Sequence, residues 1–530
     1  MTEKPLFFNI ANIIKRSILI ILSVLAIAIV GLSLIASLNQ PQIQSELELS
    51  QTNLLLHAAE WQEENSPNSS LETARIALIG EEPFKAALNQ YQEAENSAQL
   101  SIKNKFQELK NPELDPLKRQ QLQIEILLLE KSSAELGVKL GLLQIQNGKT
   151  EAALKTWQDI IKIDQPKTVT LPSVEKAKIL LSLWRNPPEL SPEIEVKIQK
   201  YLDGWFRYKS LNQLYQLQQR LPELESLQAS EQIIAEQAIE KLLLVTGIPG
   251  FGLLIGSGLM IFLGIQWLLT FKQSDPENPS AGPILMRNSS LAWETPWGGE
   301  TIWEVLIFGF FFVGQILIPL LLPISFAFLH INPASFDARN KAFYILVNYL
   351  LLAGGGLGTL YLCLRPFLPL PEGWFRVKLG GNWFLWGVGG YLVAVPLVLF
   401  VSLLNQQIWH GNGGSNPILP IALENNDSIA LAVFFGTASI AAPIFEEIMF
   451  RGFLLSSLTR YLPVWGAILV SGFVFAIAHL NISEVLPLAI LGIVLGFVYT
   501  RSRNLLASML VHSLWNSVTL LSLFLLGSDG

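Results

Sequence analysis

Residues 17–38 read SILIILSVLAIAIVGLSLIASL, twenty-two positions without a charge, a proline or an aromatic ring. At about 1.5 Å per residue a helix of that length spans roughly 33 Å, enough for a bilayer core of about 30 Å. A cleaved signal peptide has an apolar core of only about 7–15 residues, so an uncleaved membrane anchor is expected. Lys4, Lys15 and Arg16 precede the stretch and place the N-terminus in the cytoplasm.

The chain outside that stretch divides sharply. Over 530 residues it is 50% hydrophobic and only 15% charged, with a mean hydropathy of +0.40. Soluble domains carry about 25% charge, so an ordinary cytosolic or a disordered protein is excluded. With 36 basic against 43 acidic residues, nothing in the charge balance favours nucleic acid. The single cysteine, Cys363, rules out an internal disulfide framework and any two-cysteine zinc site.

Residues 39–240 are rich in both charges, and their apolar positions recur at three and four residues, as in LQIEILLLEKSSAELGVKLGLLQIQ (122–146). That period is helical. Leu140, Gly141, Gly148, Ala153 and Trp157 have the spacing of a tetratricopeptide helix pair, small residues at a crossing with a large ring filling it. Ala87, Tyr91 and Ala94 echo part of the pattern 66 residues earlier, near two 34-residue periods. An irregular helical bundle is the alternative.

Beyond this the chain turns apolar again. The expected order is a tail and anchor over 1–38, a helical domain over 39–240, a second membrane helix over 241–272, a polar linker over 273–300, and a polytopic membrane domain over 301–526. Further helices are predicted near 303–329, 342–364, 383–404, 428–459, 464–480, 484–500 and 505–526, about nine membrane helices in all. The fold class is thus an all-α membrane bundle with an inserted soluble helical domain.

Loop charges support this count. Lys272, Arg287, Arg365, Arg376, Lys378, Arg460, Arg501 and Arg503 fall on one side, whereas 405–427 and 481–483 contain neither Lys nor Arg. Only Arg339 and Lys341 run against the trend. The helical domain then faces away from the cytoplasm. Tryptophans 374, 383 and 386 stand where an interfacial belt belongs.

A charge at mid-membrane costs at least about 2.5–3.5 kcal/mol, so each one needs a reason. The last four helices hold Glu446, Glu447 and Arg451 in AAPIFEEIMFRGFLL (441–455), His479, and His512 with Asn516. Glu447 and Arg451 are four apart, acid first, the favourable order for an ion pair. That leaves Glu446 without a local partner, about 100° around the helix. His512 shares a face with Asn516, and Phe475 with His479. Counting from the turns at 461–464 and 501–503 brings Glu446, His479 and His512 to similar depth, in the cytoplasmic half of the membrane. Each polar residue alone is explained by ion pairing or interhelical hydrogen bonding; their convergence favours function.

A free carboxylate beside an imidazole can activate water, and a second His with an Asn can donate to an oxyanion. Alternatively Glu446, His479 and His512 could hold Zn²⁺ with one open position. Other protease chemistries lack their parts: there is no HExxH, Ser471-Gly472 lacks the preceding glycine of a GxSG site, and Cys363 reads as a small apolar filler. A proton-relay transporter is a further reading of the buried acids and histidines.

Glu446-Glu447-x-x-x-Arg451, Phe475-x-x-x-His479 and His512-x-x-x-Asn516 resemble the three motifs of the CAAX prenyl endopeptidase and bacteriocin-processing (CPBP, or Abi) intramembrane proteases. The resemblance covers about 428–526. It implies that Glu446 and His479 activate water, that His512 and Asn516 stabilise the oxyanion, and that no metal is needed, despite the family's metalloprotease label. Glu447, Arg451 and Phe475 are then supporting residues. The expected function is an intramembrane endopeptidase acting on a membrane-associated protein or peptide, with the lipid bilayer as its medium. The helical domain has no counterpart in the minimal protease core and would bind a protein partner. The rival reading is a non-catalytic membrane scaffold that recruits partners through that domain.

Overall fold

The computed structural model describes residues 4–38, 40, 42, 44–62, 70–112, 114–163, 172–271, 284, 291–409, 411–416, 419, 421 and 427–527. Most of the expected linker over 273–300 lies outside them. Among the described residues the chain is helical and contains no strand. It forms two compact units, one of Met1–Ile43 with Ile248–Ser528 and the other of Gln44–Gly247.

The second unit contains helices α2 (Gln44–Ala59), α3 (Ser70–Ile79), α4 (Pro83–Leu109), α5 (Pro116–Gln146), α6 (Thr150–Ile163), α7 (Pro172–Trp184), α8 (Ile194–Tyr201) and α9 (Gly204–Leu217), and all but α3 contribute to one apolar core. The α5/α6 crossing has the small-on-large packing read from the sequence. Trp157 is fully buried and lies directly over Gly141, where any side chain would collide with the indole, and its Nε1 donates to Val138 O at 3.1 Å. The helices are unequal, 27 residues for α4, 31 for α5 and 14 for α6. One paired crossing is therefore present in an irregular array.

Helix α10 runs from Leu221 to Phe271 as one element of 51 residues, with Pro249 inside it. The sequence reading placed a boundary at 240/241. Between Glu223 and Thr246 there is no glycine or proline to end a helix, so the change in polarity is not a change in backbone.

The first unit contains the long α1 (Lys4–Ser37), the apolar end of α10, and α11 (Gly299–Phe328), α12 (Ala338–Phe367), α13 (Trp383–Trp409), α14 (Ser428–Leu458), α16 (Ile482–Ser502) and α17 (Leu505–Gly527). These eight helices, α1 and α10 included, are long and apolar enough to cross a membrane. The chain is an integral, multi-pass membrane protein. The ninth expected span is the shorter α15 (Val464–Ile477), only 14 residues. At about 1.5 Å per residue it reaches roughly 21 Å, short of the hydrocarbon core.

Small residues set the closest approaches, as expected where lipid provides no hydrophobic drive between helices. A Cβ on Gly492 of α16 would lie 2.7 Å from the Gly472 backbone of α15. A Cβ on Gly356 of α12 would meet the Phe445 ring at 2.9 Å. Two sequence expectations acquire physical reasons here. Arg339, which ran against the charge trend, is paired with Asp427 at 2.9 Å. Trp374 is not part of an interfacial belt: it is buried, its ring 4.3 Å from that of Trp297 and its Nε1 donating to Glu294 O.

Candidate active site

The motif helix α14 is not a uniform α-helix. It passes through a π-helical turn at Thr437–Ala441, a short α segment at Ala442–Glu446, and a longer π segment at Glu447–Leu455. Such segments often occur at functional sites. The local cause of the first is Pro443, which has no N–H to give a carbonyl one turn back. Ala442 N instead bonds Thr437 O, five residues back. Helix α17 serves the neighbouring carbonyls: Asn516 Nδ2 donates to Ala438 O at 2.7 Å and Ser513 Oγ donates to Ser439 O at 2.6 Å. The irregular backbone of α14 and the polar face of α17 are therefore one construction.

Glu446 and Glu447 lie where the α segment meets the second π segment, and their environments differ. Glu447 is fully buried and accepts from Arg451 Nη1 at 2.8 Å. Arg451, equally buried, also donates through Nη2 to Gly492 O at 3.2 Å and lies over the Phe475 ring, 4.4 Å from its centroid. The close Gly472–Gly492 crossing brings that carbonyl within reach. Glu447 Oε1 also binds His512 Nδ1 at 3.0 Å. A carboxylate only accepts, so Nδ1–H donates and the ring turns Nε2 outward.

His512 Nε2 faces Glu446 Oε2 at 3.9 Å. Glu446 Oε1 accepts from the Tyr349 hydroxyl of α12 at 3.0 Å, but its Oε2 is buried without a hydrogen-bond partner. An unbonded buried polar atom in a native fold calls for an explanation, and catalysis is one.

His479 lies just past α15 and is half-buried, its Nδ1 donating to Phe475 O at 2.9 Å. It meets the other members through Phe475, whose ring is edge-on to His479 at 5.0 Å and to His512 at 5.7 Å. The next residue, Leu480, has a positive φ of 63° that reverses the chain. Asn481 Nδ2 then reaches His479 O at 3.2 Å and Glu484 Oε2 at 3.4 Å. Ser471, considered above for a serine site, donates to Phe450 O at 2.8 Å and ties α15 to α14.

The structure thus places Arg451, His479 and His512 against the Phe475 ring, with Glu447 bonded to Arg451 and His512, Glu446 opposite His512, and Asn516 one turn beyond it. Among the described residues, no group of three or more His, Cys, Asp or Glu side chains is placed to hold a metal ion. Tyr349 and Ser513 were missed from the sequence. A tyrosine in an apolar helix carries no mark of which way it faces. Ser513 had a signal in Pro443, four residues beyond the carbonyl that Ser513 satisfies.

Residues 428–518 match the family described as Type II CAAX prenyl endopeptidase Rce1-like, so the C-terminal part of the chain carries an Rce1-like domain. The "Putative membrane peptidase YdiL" of Bacillus subtilis is 23% identical over 133 residues, 25% of this chain and 53% of that protein. The UPF0177 protein YxdF of Lactococcus lactis is 35% identical over 75 residues, 14% of this chain and 41% of that protein. The chain spans about half or less of the length of these curated relatives. No solved structure matches it.

Proposed function

We propose that the protein is an intramembrane endopeptidase that hydrolyses a peptide bond of a membrane-associated protein or peptide with water activated by Glu446. The observation that carries this reading is Glu446 Oε2, buried, unbonded and 3.9 Å from His512 Nε2. Two atoms at that separation can both reach one water molecule.

Glu446 takes a proton from the water as its oxygen attacks the scissile carbonyl carbon, and the proton passes to the departing amine. Tyr349 holds the other carboxylate oxygen and fixes its direction. His479, with Nδ1 committed to the Phe475 carbonyl, is assigned to the same proton transfer through its Nε2. Glu447, anchored by Arg451, holds the His512 ring so that Nε2, when it carries a proton, donates to the developing oxyanion. Asn516 spends one amide hydrogen on Ala438 O and keeps the second for the oxyanion.

Purified full-length protein and its Glu446→Gln and His479→Ala variants should separate on a membrane-peptide substrate: the wild type cleaves and the variants do not. Undiminished cleavage by Glu446→Gln would sink the assignment. Persistence of cleavage in strong chelator, with no metal in the purified protein, supports the metal-free route. The N-terminus is assigned to the cytoplasm and residues 39–240 to the opposite side, where they recruit a protein partner. Cytoplasmic signals from reporters fused within 39–240 would reverse that orientation.

A further inference from the structure

Away from the acidic site, the membrane end of α10 and helices α13, α15 and α16 enclose a groove of about 490 Å³, within the size range of ligand pockets. Leu259 and Phe262 form one wall, and Trp386, Leu397, Trp465 and Phe497 line the others. Trp465 stacks on Phe497 at 5.7 Å, and Trp386 meets the same ring edge-on at 6.2 Å. Apart from the indoles, Asn382 is the only polar side chain among the lining residues. From Asn382 to Leu397 the wall rises 15 residues, roughly 22 Å, more than the roughly 15 Å of one hydrocarbon leaflet.

The Asn382 end differs from the rest. Arg501 lies 5.9 Å from the Trp386 ring centroid. The segment before α13 is held against the α16–α17 turn, Leu505 N donating to Arg376 O at 2.9 Å and Asn504 Nδ2 to Lys378 O at 2.6 Å. This brings the backbone of exposed Arg376 and Lys378 beside the turn that follows Arg501. Across 371–382 and 501–505 four cations face a single acid, Glu372. Arg503 is stacked 3.6 Å from the Trp293 ring centroid. An apolar groove one leaflet deep, ending at a cation-rich turn beside interfacial tryptophans, matches a lipid with an anionic head.

We propose that this groove binds one anionic glycerophospholipid, an acyl chain lying along α13 against Trp465 and Phe497 and the phosphate held at the rim by Arg501, Lys378 and Arg376. The site is separate from Glu446, and its test reads lipid retention and not cleavage. Gly389 lines the groove, and a Cβ there meets nothing within 4 Å, so a larger side chain enters it without displacing the helices.

The full-length protein, delipidated in detergent, is titrated with phosphatidylglycerol, phosphatidylcholine or glycerol phosphate and examined by native mass spectrometry. One phosphatidylglycerol should be retained under conditions that strip phosphatidylcholine. Neutralising one cation, in Arg501→Gln or Lys378→Gln, should weaken that retention about fivefold, and Gly389→Leu should abolish it at unchanged melting temperature. As a second reading independent of that variant, phosphatidylglycerol brominated on its chain should quench tryptophan emission, less so in Trp386→Phe/Trp465→Phe. Equal retention of both lipids, full retention by Gly389→Leu, or displacement by glycerol phosphate as effective as by phosphatidylglycerol would overturn the proposal.

Discussion

Among the described residues two buried histidines are bonded to a fully or nearly fully buried carboxylate, one in each unit. In the helical domain His57 Nδ1 lies 2.6 Å from Glu231 Oε1; in the membrane unit His512 Nδ1 lies 3.0 Å from Glu447 Oε1. Both pairs are shielded from water to the same degree. The first pair leaves no buried side-chain atom unbonded, whereas in the second Glu447 Oε2 and the neighbouring Glu446 Oε2 both lack partners. The second histidine also has another carboxylate opposite its free nitrogen. Burial of charge is therefore not the mark of the site. The mark is a histidine oriented by one acid and presented to another whose own bonding is incomplete.

The strongest way to break this contrast is at the unbonded acid. Glu446→Gln should lower cleavage by about 10²–10⁴-fold, the usual contribution of a general base, with melting nearly unchanged. A loss of folding in place of activity would make Glu446 a structural residue like Glu231. The pairs themselves should behave alike in stability. Glu447→Ala and His57→Ala each strand a buried partner, and each should cost about 3–5 kcal/mol in unfolding measurements. They should part in function: the folded fraction of His57→Ala cleaves at the wild-type rate and that of Glu447→Ala does not.

Legibility in the sequence followed the same division. Glu447–Arg451 was readable because four-residue spacing places both groups on one face in any helix, and the fully buried 2.8 Å contact reflects that local rule. The three motifs were readable because an uncharged background isolates polar residues. Packing across helices was not readable: the Gly472–Gly492 crossing that lets Arg451 reach Gly492 O depends on partners twenty residues apart. Nor was the register change in α14, since π segments follow from Pro443 together with a donor supplied by another helix. The length of α15 was overestimated because apolar composition continues past Ile477 into the turn that carries His479.

Smaller effects sharpen the contrast. Tyr349→Phe removes the hydroxyl bonded to Glu446, a hydrogen bond to a charged group worth about 1.5–3 kcal/mol, so cleavage should fall by at least about tenfold. An unchanged rate would show that Glu446 is aimed by other means. Nearer the surface, Glu195 is held below its usual 4.5 by Arg220 and then by the Tyr215 hydroxyl. It is half-buried in a surface ion pair, so Glu195→Gln should cost under about 1 kcal/mol at pH 7. Because the folded-state value is lowered, that difference should be full above pH 4.5 and disappear as pH falls through the folded value, as pH-dependent melting will report.

The central claim is tested most directly by mapping newly formed peptide ends in membranes from cells that carry the wild-type protein, Glu446→Gln or His57→Ala at equal folded abundance. The account expects one set of ends shared by wild type and His57→Ala and missing with Glu446→Gln. The same ends with Glu446→Gln would contradict it.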